Sequence, residues 1–149
     1  MERILVGMDV RQSNLEGVQR AIQLAARIDA TVTILLVSSP SNPHTHQDIS
    51  RQLENSVRKR LELLIEMGRA DGLEVNFYMT RGDYREELIR FTQQNQITHV
   101  VLGLPRGGQQ ATDEFHEWLA GIRHRISCRI ELVQEKSGPV KAGAGGRAP

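Results

Sequence analysis

The chain predicts an α/β fold, a doubly wound five-stranded parallel sheet with helices on both faces. Two observations carry this reading. Apolar or β-branched runs near residues 4–8, 31–37, 73–79, 99–102 and 130–133 alternate with segments of helical spacing. Such alternation forces crossover connections, which pair strands in parallel and lay helices on both faces of the sheet. The run Thr98-His99-Val100-Val101-Leu102 then ends in Gly103 and opens into Leu104-Pro105-Arg106-Gly107-Gly108 before the next helical stretch. In a parallel sheet, such a junction at the carboxyl end of a strand is where ligands settle.

Taken in order, Ile4-Leu5-Val6-Gly7-Met8 is a continuous apolar run bounded by charge, the pattern of a strand buried on both faces, and Asp9 ends it. Ser13 and Glu16 form a capping-box pair. Leu15, Val18, Ile22, Ala25 and Ile28 or Asp29 follow three and four apart, so a helix begins here and buries one stripe. Residues 31–37 give a second strand, closed by the loop Ser38-Ser39-Pro40-Ser41-Asn42-Pro43. From about 47 to 70, Leu53, Val57, Leu61, Leu64 and Met67 predict a long amphipathic helix that Gly72 stops. Residues 73–79 read as the third strand, and residues 83–96 as the third helix with Leu88 and Ile89 inward. The fourth strand covers 99–102, a fourth helix runs from Thr112 to about Ile126, and the fifth strand covers 130–133. The loops after strands one and four should lie side by side where strand order reverses.

At 149 residues the chain is one domain's worth, long enough to bury roughly two thirds of the surface its unfolded form exposes. The domain is expected over residues 1–135, followed by a flexible Gly/Ala/Pro-rich tail over 136–149, where almost nothing apolar offsets the entropy of ordering. Nineteen basic against eighteen acidic residues give a formal charge of +1, which implies no bulk attraction to nucleic acid or an anionic membrane. One cysteine allows no internal disulfide, and no stretch is apolar for long enough to serve as a signal or a membrane span. A cytoplasmic protein is the expectation.

The run Ile4-Leu5-Val6-Gly7-Met8-Asp9, the strand end Leu35-Leu36-Val37, Gly82-Asp83 with Glu86-Glu87-Leu88-Ile89, and Thr98 to Gly103 occur in an order and spacing that resemble the universal stress protein family over about residues 1–135. The resemblance implies a Rossmann-like fold and an adenosine site using Asp9, Val37, Leu102 and Gly103, with ATP as the candidate ligand. ATP-binding members carry Gly, two residues, Gly, nine residues, then Gly-Ser or Gly-Thr. Here Gly103 matches the first glycine, but Arg106 falls on the second and His116-Glu117 on the final pair, with Gly107 and Gly108 one step beyond.

A helix start attracts phosphate through its free N–H groups. A helix beginning at Thr112 places Asp113, Glu114 and Glu117 in its first turns, where each carboxylate gains roughly 0.3–1 kcal/mol and repels a polyphosphate. Arg106, beside Gly107, is the candidate replacement clamp for phosphate. The resemblance also implies a homodimer through the last strand, Arg129-Ile130-Glu131-Leu132-Val133-Gln134, which topology places at a sheet edge that needs pairing through Ile130 and Leu132 or protection by Arg129 and Glu131.

Other candidates point to packing. His44 and His46 with Asp48 lack the third ligand a zinc site needs, so no metal is expected. Cys128 beside Ile126 and Ile130 reads as a small core residue, and Phe115 and Trp118 as aromatic packing against the sheet. Arg123, His124 and Arg125 read as a solvated basic helix end. No catalytic residue is indicated. Two functions stay open: a non-catalytic regulatory or stress-response module acting through dimerisation and partner contacts, and an ATP-binding switch that slowly hydrolyses its ligand.

Overall fold

Residues 1–9, 14–38, 55–105 and 108–134 are described by a computed structural model. Strands β1 (Glu2–Asp9), β2 (Ala30–Ser38), β3 (Val75–Arg81), β4 (His99–Leu104) and β5 (Arg129–Gln134) alternate with helices α1 (Leu15–Ile28), α2 (Asn55–Ala70), α3 (Tyr84–Gln94) and α4 (Gly108–Arg123). All neighbouring strands are parallel, in the order β3-β2-β1-β4-β5. Strand order therefore reverses between β1 and β4, which pair through Ile4 with His99 to Val6 with Val101. The carboxyl ends of these two strands adjoin, as the sequence predicts.

The unbroken apolar run of β1 has the burial it requires: Ile4, Leu5 and Val6 are fully buried. Alternate residues feed two cores. Ile4, Val6, Met8, Val32, Ile34 and Leu36 pack with α1 and α2, while Leu5, Leu35, Val37, Val100 and Leu102 pack with α3 and α4. Each such side chain contributes about 1.5–3 kcal/mol of burial, so β1 and β2 anchor both layers at once.

Helix boundaries depart from the sequence reading in ways that matter. Asn14, with left-handed φ 49°, occupies the N-cap position of α1, and Ser13 lies outside the described residues. At the other end of α1, Asp29 is the C-cap and Ile28 is exposed, so neither extends the buried stripe. In α2 the inward residues are Leu61, Ile65 and Gly68, whereas Met67 is 54% exposed. Gly72 closes that helix at φ 87°, letting Leu73 N–H reach the Gly68 carbonyl at 3.0 Å. Leu73 is thereby held in the turn, and β3 starts two residues later than expected. Asp83 caps α3 by accepting from Glu86 N–H at 3.0 Å. The largest shift is in α4, which begins at Gly108, four residues before Thr112. The segments 47–54 and 136–149 lie outside the described residues.

Candidate functional site

The switch point between β1 and β4 holds a cavity of about 120 Å³ under the first turn of α3 and the middle of α4. Gly7 and Asp9 from β1, with Leu102 and Gly103 from β4, form its sheet side, and Asn14 closes it at the start of α1. Tyr84, Trp118 and Phe115 supply the opposite wall. Their rings form one continuous stack, with Tyr84 to Trp118 at 5.4 Å and Trp118 to Phe115 at 5.5 Å between centroids.

Gly7 is what lets this wall close on the sheet. A Cβ at that position would meet the Leu88 side chain at 2.7 Å and the Tyr84 hydroxyl at 2.8 Å, so only glycine permits the approach. Burial pushes the Tyr84 phenol well above its ordinary pKa, and the Asp9 carboxylate raises it further. The phenol consequently stays neutral at physiological pH. Asn14 donates from Nδ2 to the Gly7 carbonyl at 2.9 Å, while its buried Oδ1 has no partner. Gly17 makes room for that amide, since a Cβ there would lie 2.4 Å from Oδ1.

Of the residues singled out from sequence, Asp9, Leu102 and Gly103 meet in this cavity. Val37 is the register partner of Asp9 and 1% exposed, with its side chain packed in the core around Leu102 and absent from the cavity lining. Arg106 and Gly107 lie outside the described residues, as do His44, His46 and Asp48. Among the described residues no group of three metal-ligating side chains converges. Phe115 and Trp118 do pack toward the sheet core, but they also line the cavity, a role the helical spacing alone did not give them. Tyr84 was missed. Its signal was positional: it follows the capping Asp83 and so opens a helix at the carboxyl edge of the sheet.

The start of α4 also corrects the electrostatic argument. No acidic side chain occupies its first turn. Asp113 lies a turn further in and accepts from Gln109 Nε2 at 2.8 Å. Only the first four N–H groups of a helix are free to bind an anion, so Gly108, Gln109, Gln110 and Ala111 offer them, and carboxylates do not block that end.

A family profile described as the universal stress protein family matches residues 1–112. The chain belongs to this family. Solved universal stress proteins share the fold at low identity. One in complex with cAMP is 19% identical at a TM-score of 0.66, over 89% of this chain and 96% of that one. UspA from Lactobacillus plantarum is 17% identical at 0.65, over 89% and 97%. A universal stress protein from Archaeoglobus fulgidus in complex with dAMP is 14% identical at 0.56, over 89% and 96%. No curated protein matches the chain. No described helix is long and apolar enough to cross a membrane.

Set on this universal stress protein, the final pair of the ATP motif, His116 and Glu117, lies inside α4, more than two turns past Gly108. Their amides are committed to the helix and cannot cradle a phosphate.

Proposed function

We propose that this chain is a non-catalytic regulatory module of the universal stress protein family whose nucleotide cavity is largely filled by its own aromatic side chains, so that it binds ATP weakly or not at all. The observation that carries this is the Tyr84–Trp118–Phe115 stack, which leaves about 120 Å³ beside Asp9 and Gly103. Ligand pockets usually offer roughly 300–1,000 Å³. The helical placement of His116 and Glu117 supports the same reading.

The open first turn of α4 favours a second reading, an ATP-binding switch that uses Gly103 and the α4 amides with Arg106 as clamp. Thermal melts with Mg-ATP, cAMP, dAMP and adenosine separate the two. A ligand at one hundred times its dissociation constant stabilises a fold by about 2.7 kcal/mol. The proposed module shows no saturable shift with ATP. A saturable rise with ATP and none with adenosine overturns it in favour of the switch.

The module acts as a homodimer joined through β5, bringing Ile130 and Leu132 of each copy to the seam. The half-buried, edge position of β5 supports this. Glu131 is paired with Arg20 of α1 at 2.5 Å, which ties it down within one subunit and leaves it less free to guard the edge. Light scattering at micromolar concentration should give twice the chain mass; a single-chain mass refutes the dimer.

A further inference from the structure

The sheet ends in two edges, β5 on one side and β3 on the other. They are finished differently. In β3, pairing with β2 fixes which main-chain groups look outward. Val32 N–H donates to the Glu74 carbonyl at 2.9 Å, so Glu74 turns its main-chain groups toward β2. These groups alternate along a strand, and Asn76, Tyr78 and Thr80 do the same. Val75, Phe77, Met79 and Arg81 therefore present theirs to the outer edge, beyond which no strand lies among the described residues. Such a row is a template for another strand.

One position of the row is closed from within the chain. Arg69, in the last turn of α2, donates from both Nε and Nη2 to the Val75 carbonyl, at 3.1 and 2.8 Å. The turn at Gly72 makes this reach possible, because it brings the end of α2 back beside the start of β3. The guanidinium thus lays a positive charge across the edge. On β5 the comparable ion pair, Arg20 with Glu131, joins side chain to side chain and occupies no main-chain group of that edge.

A second copy is the partner that β3 would otherwise fit. Two β3 strands related by a two-fold axis at Tyr78, the midpoint of Val75–Arg81, overlap along all 7 residues. Val75 then opposes the other copy's Arg81 and Phe77 its Met79, each pair exchanging main-chain bonds. Tyr78, 51% exposed, meets its own counterpart at a pair without main-chain bonds, where Cα atoms approach to about 4.5 Å. This pairing needs the Val75 carbonyl that Arg69 holds. It also sets the Arg69 guanidinium beside the other copy's Arg81, a contact between like charges.

We propose that Arg69 keeps β3 from pairing with a second copy and so limits assembly to the β5 edge. The inference extends the β5 dimer proposed above. A chain with two self-complementary edges links copies alternately through β5 and β3 into an open series. Closing one edge stops that series at two chains.

The test is light scattering on the wild type and on Arg69→Met, which keeps a long side chain but has no donor. Arg69→Ala serves as a second donor-free variant. At micromolar concentration each should have at least twice the wild-type mass, and Arg69→Lys, which returns the charge and a donor, should restore the wild-type value. Tyr78→Cys with Cys128→Ser locates the seam. In the Arg69→Met background, oxidation should link two chains through position 78, because the opposed Cα distance lies within the roughly 4.4–6.8 Å that a disulfide spans. With Arg69 retained, no link should form. If the wild type has the mass of one chain, the β5 reading fails, and an Arg69→Met mass of two chains still supports the closure of β3. The inference is overturned if Arg69→Met and Arg69→Ala, with unchanged circular dichroism, keep the wild-type mass up to millimolar concentration. It is equally overturned if larger assemblies form without linkage at position 78.

Discussion

At the carboxyl end of the sheet the chain fills its own cavity, stacking Tyr84, Trp118 and Phe115 over Gly7 and Leu102. At the amino end of the same face, Arg3, Thr31, Thr33, Glu74 and Asn76 give it a second cavity with a polar floor. One helix serves both: Tyr84 opens α3 over the first cavity and Phe91 near its other end covers the second. The contrast teaches that one sheet face carries an aromatic closure at its switch point and a polar floor at its other end. The aromatic end gains stability from being closed.

Truncating the filler should break this contrast most severely. Trp118→Ala removes a ring packed between two others and costs about 3 kcal/mol, the low end for aromatic truncation because the indole is only partly buried. Urea unfolding followed by circular dichroism checks it, and a loss under about 1 kcal/mol shows that the stack does not hold the cavity shut. The same variant, having a larger cavity, should acquire an adenosine-dependent rise in melting temperature.

Gly7→Ala tests the closure from the sheet side. Its Cβ would press on Leu88 and the Tyr84 hydroxyl inside 3 Å, and overpacking of this kind costs typically 1–3 kcal/mol. We expect about 2 kcal/mol in the same unfolding assay. A neutral substitution would mean that α3 lifts freely from β1.

The sheet was legible in the sequence because strands buried on both faces leave unbroken apolar runs, and Ile4 to Met8 has almost no other reading. Asp9, Leu102 and Gly103 came from the family resemblance, and they line one cavity because the ends of β1 and β4 adjoin. Val37 was assigned by analogy to the adenosine site, but its side chain is spent on the core. The start of α4 was misplaced because Gly108, Gln109 and Gln110 carry no apolar periodicity; the helix there is held by local bonds such as Thr112 Oγ1 to the Gly108 carbonyl at 3.0 Å. Misplacing it set Asp113 and Glu114 in the wrong turn and overstated their repulsion of phosphate. The polar cavity left no local signature, because Arg3, Thr31 and Glu74 meet only through the register of three strands.

The corrected helix start changes what repairing the motif should achieve. Arg106→Gly with His116→Gly and Glu117→Ser restores the family's glycine pattern on paper. Here two of those changes fall inside α4, where glycine costs about 1 kcal/mol relative to a good helix former. Isothermal titration with Mg-ATP should therefore stay flat, with a stability loss near 1 kcal/mol. Strong ATP binding by this triple variant would mean that α4 unwinds to rebuild a phosphate loop.

The smallest effect expected is one of pH, and it acts on one cavity only. Arg125, just past α4, bonds Glu86 of α3 at 2.6 Å and holds that carboxyl below its ordinary value of 4.5. Gln93 of α3 reinforces the clasp by donating to the Arg125 carbonyl at 2.9 Å. Because the folded-state pKa is depressed, the folded protein binds fewer protons than the unfolded chain below pH 4.5. The pair's contribution is therefore present above that value and lost as pH falls through the folded pKa. The pair is exposed and its effect small, but its position is informative: α4 supplies Trp118 and Phe115 to the aromatic cavity and nothing to the polar one. Acid should thus loosen the aromatic wall first. Trp118 is the only tryptophan, so its fluorescence reports that wall alone. Its acid transition should precede any shift of the Thr31 and Thr33 amides, and Glu86→Gln should remove the early phase. Simultaneous changes at both ends would show that α3 and α4 move as one body.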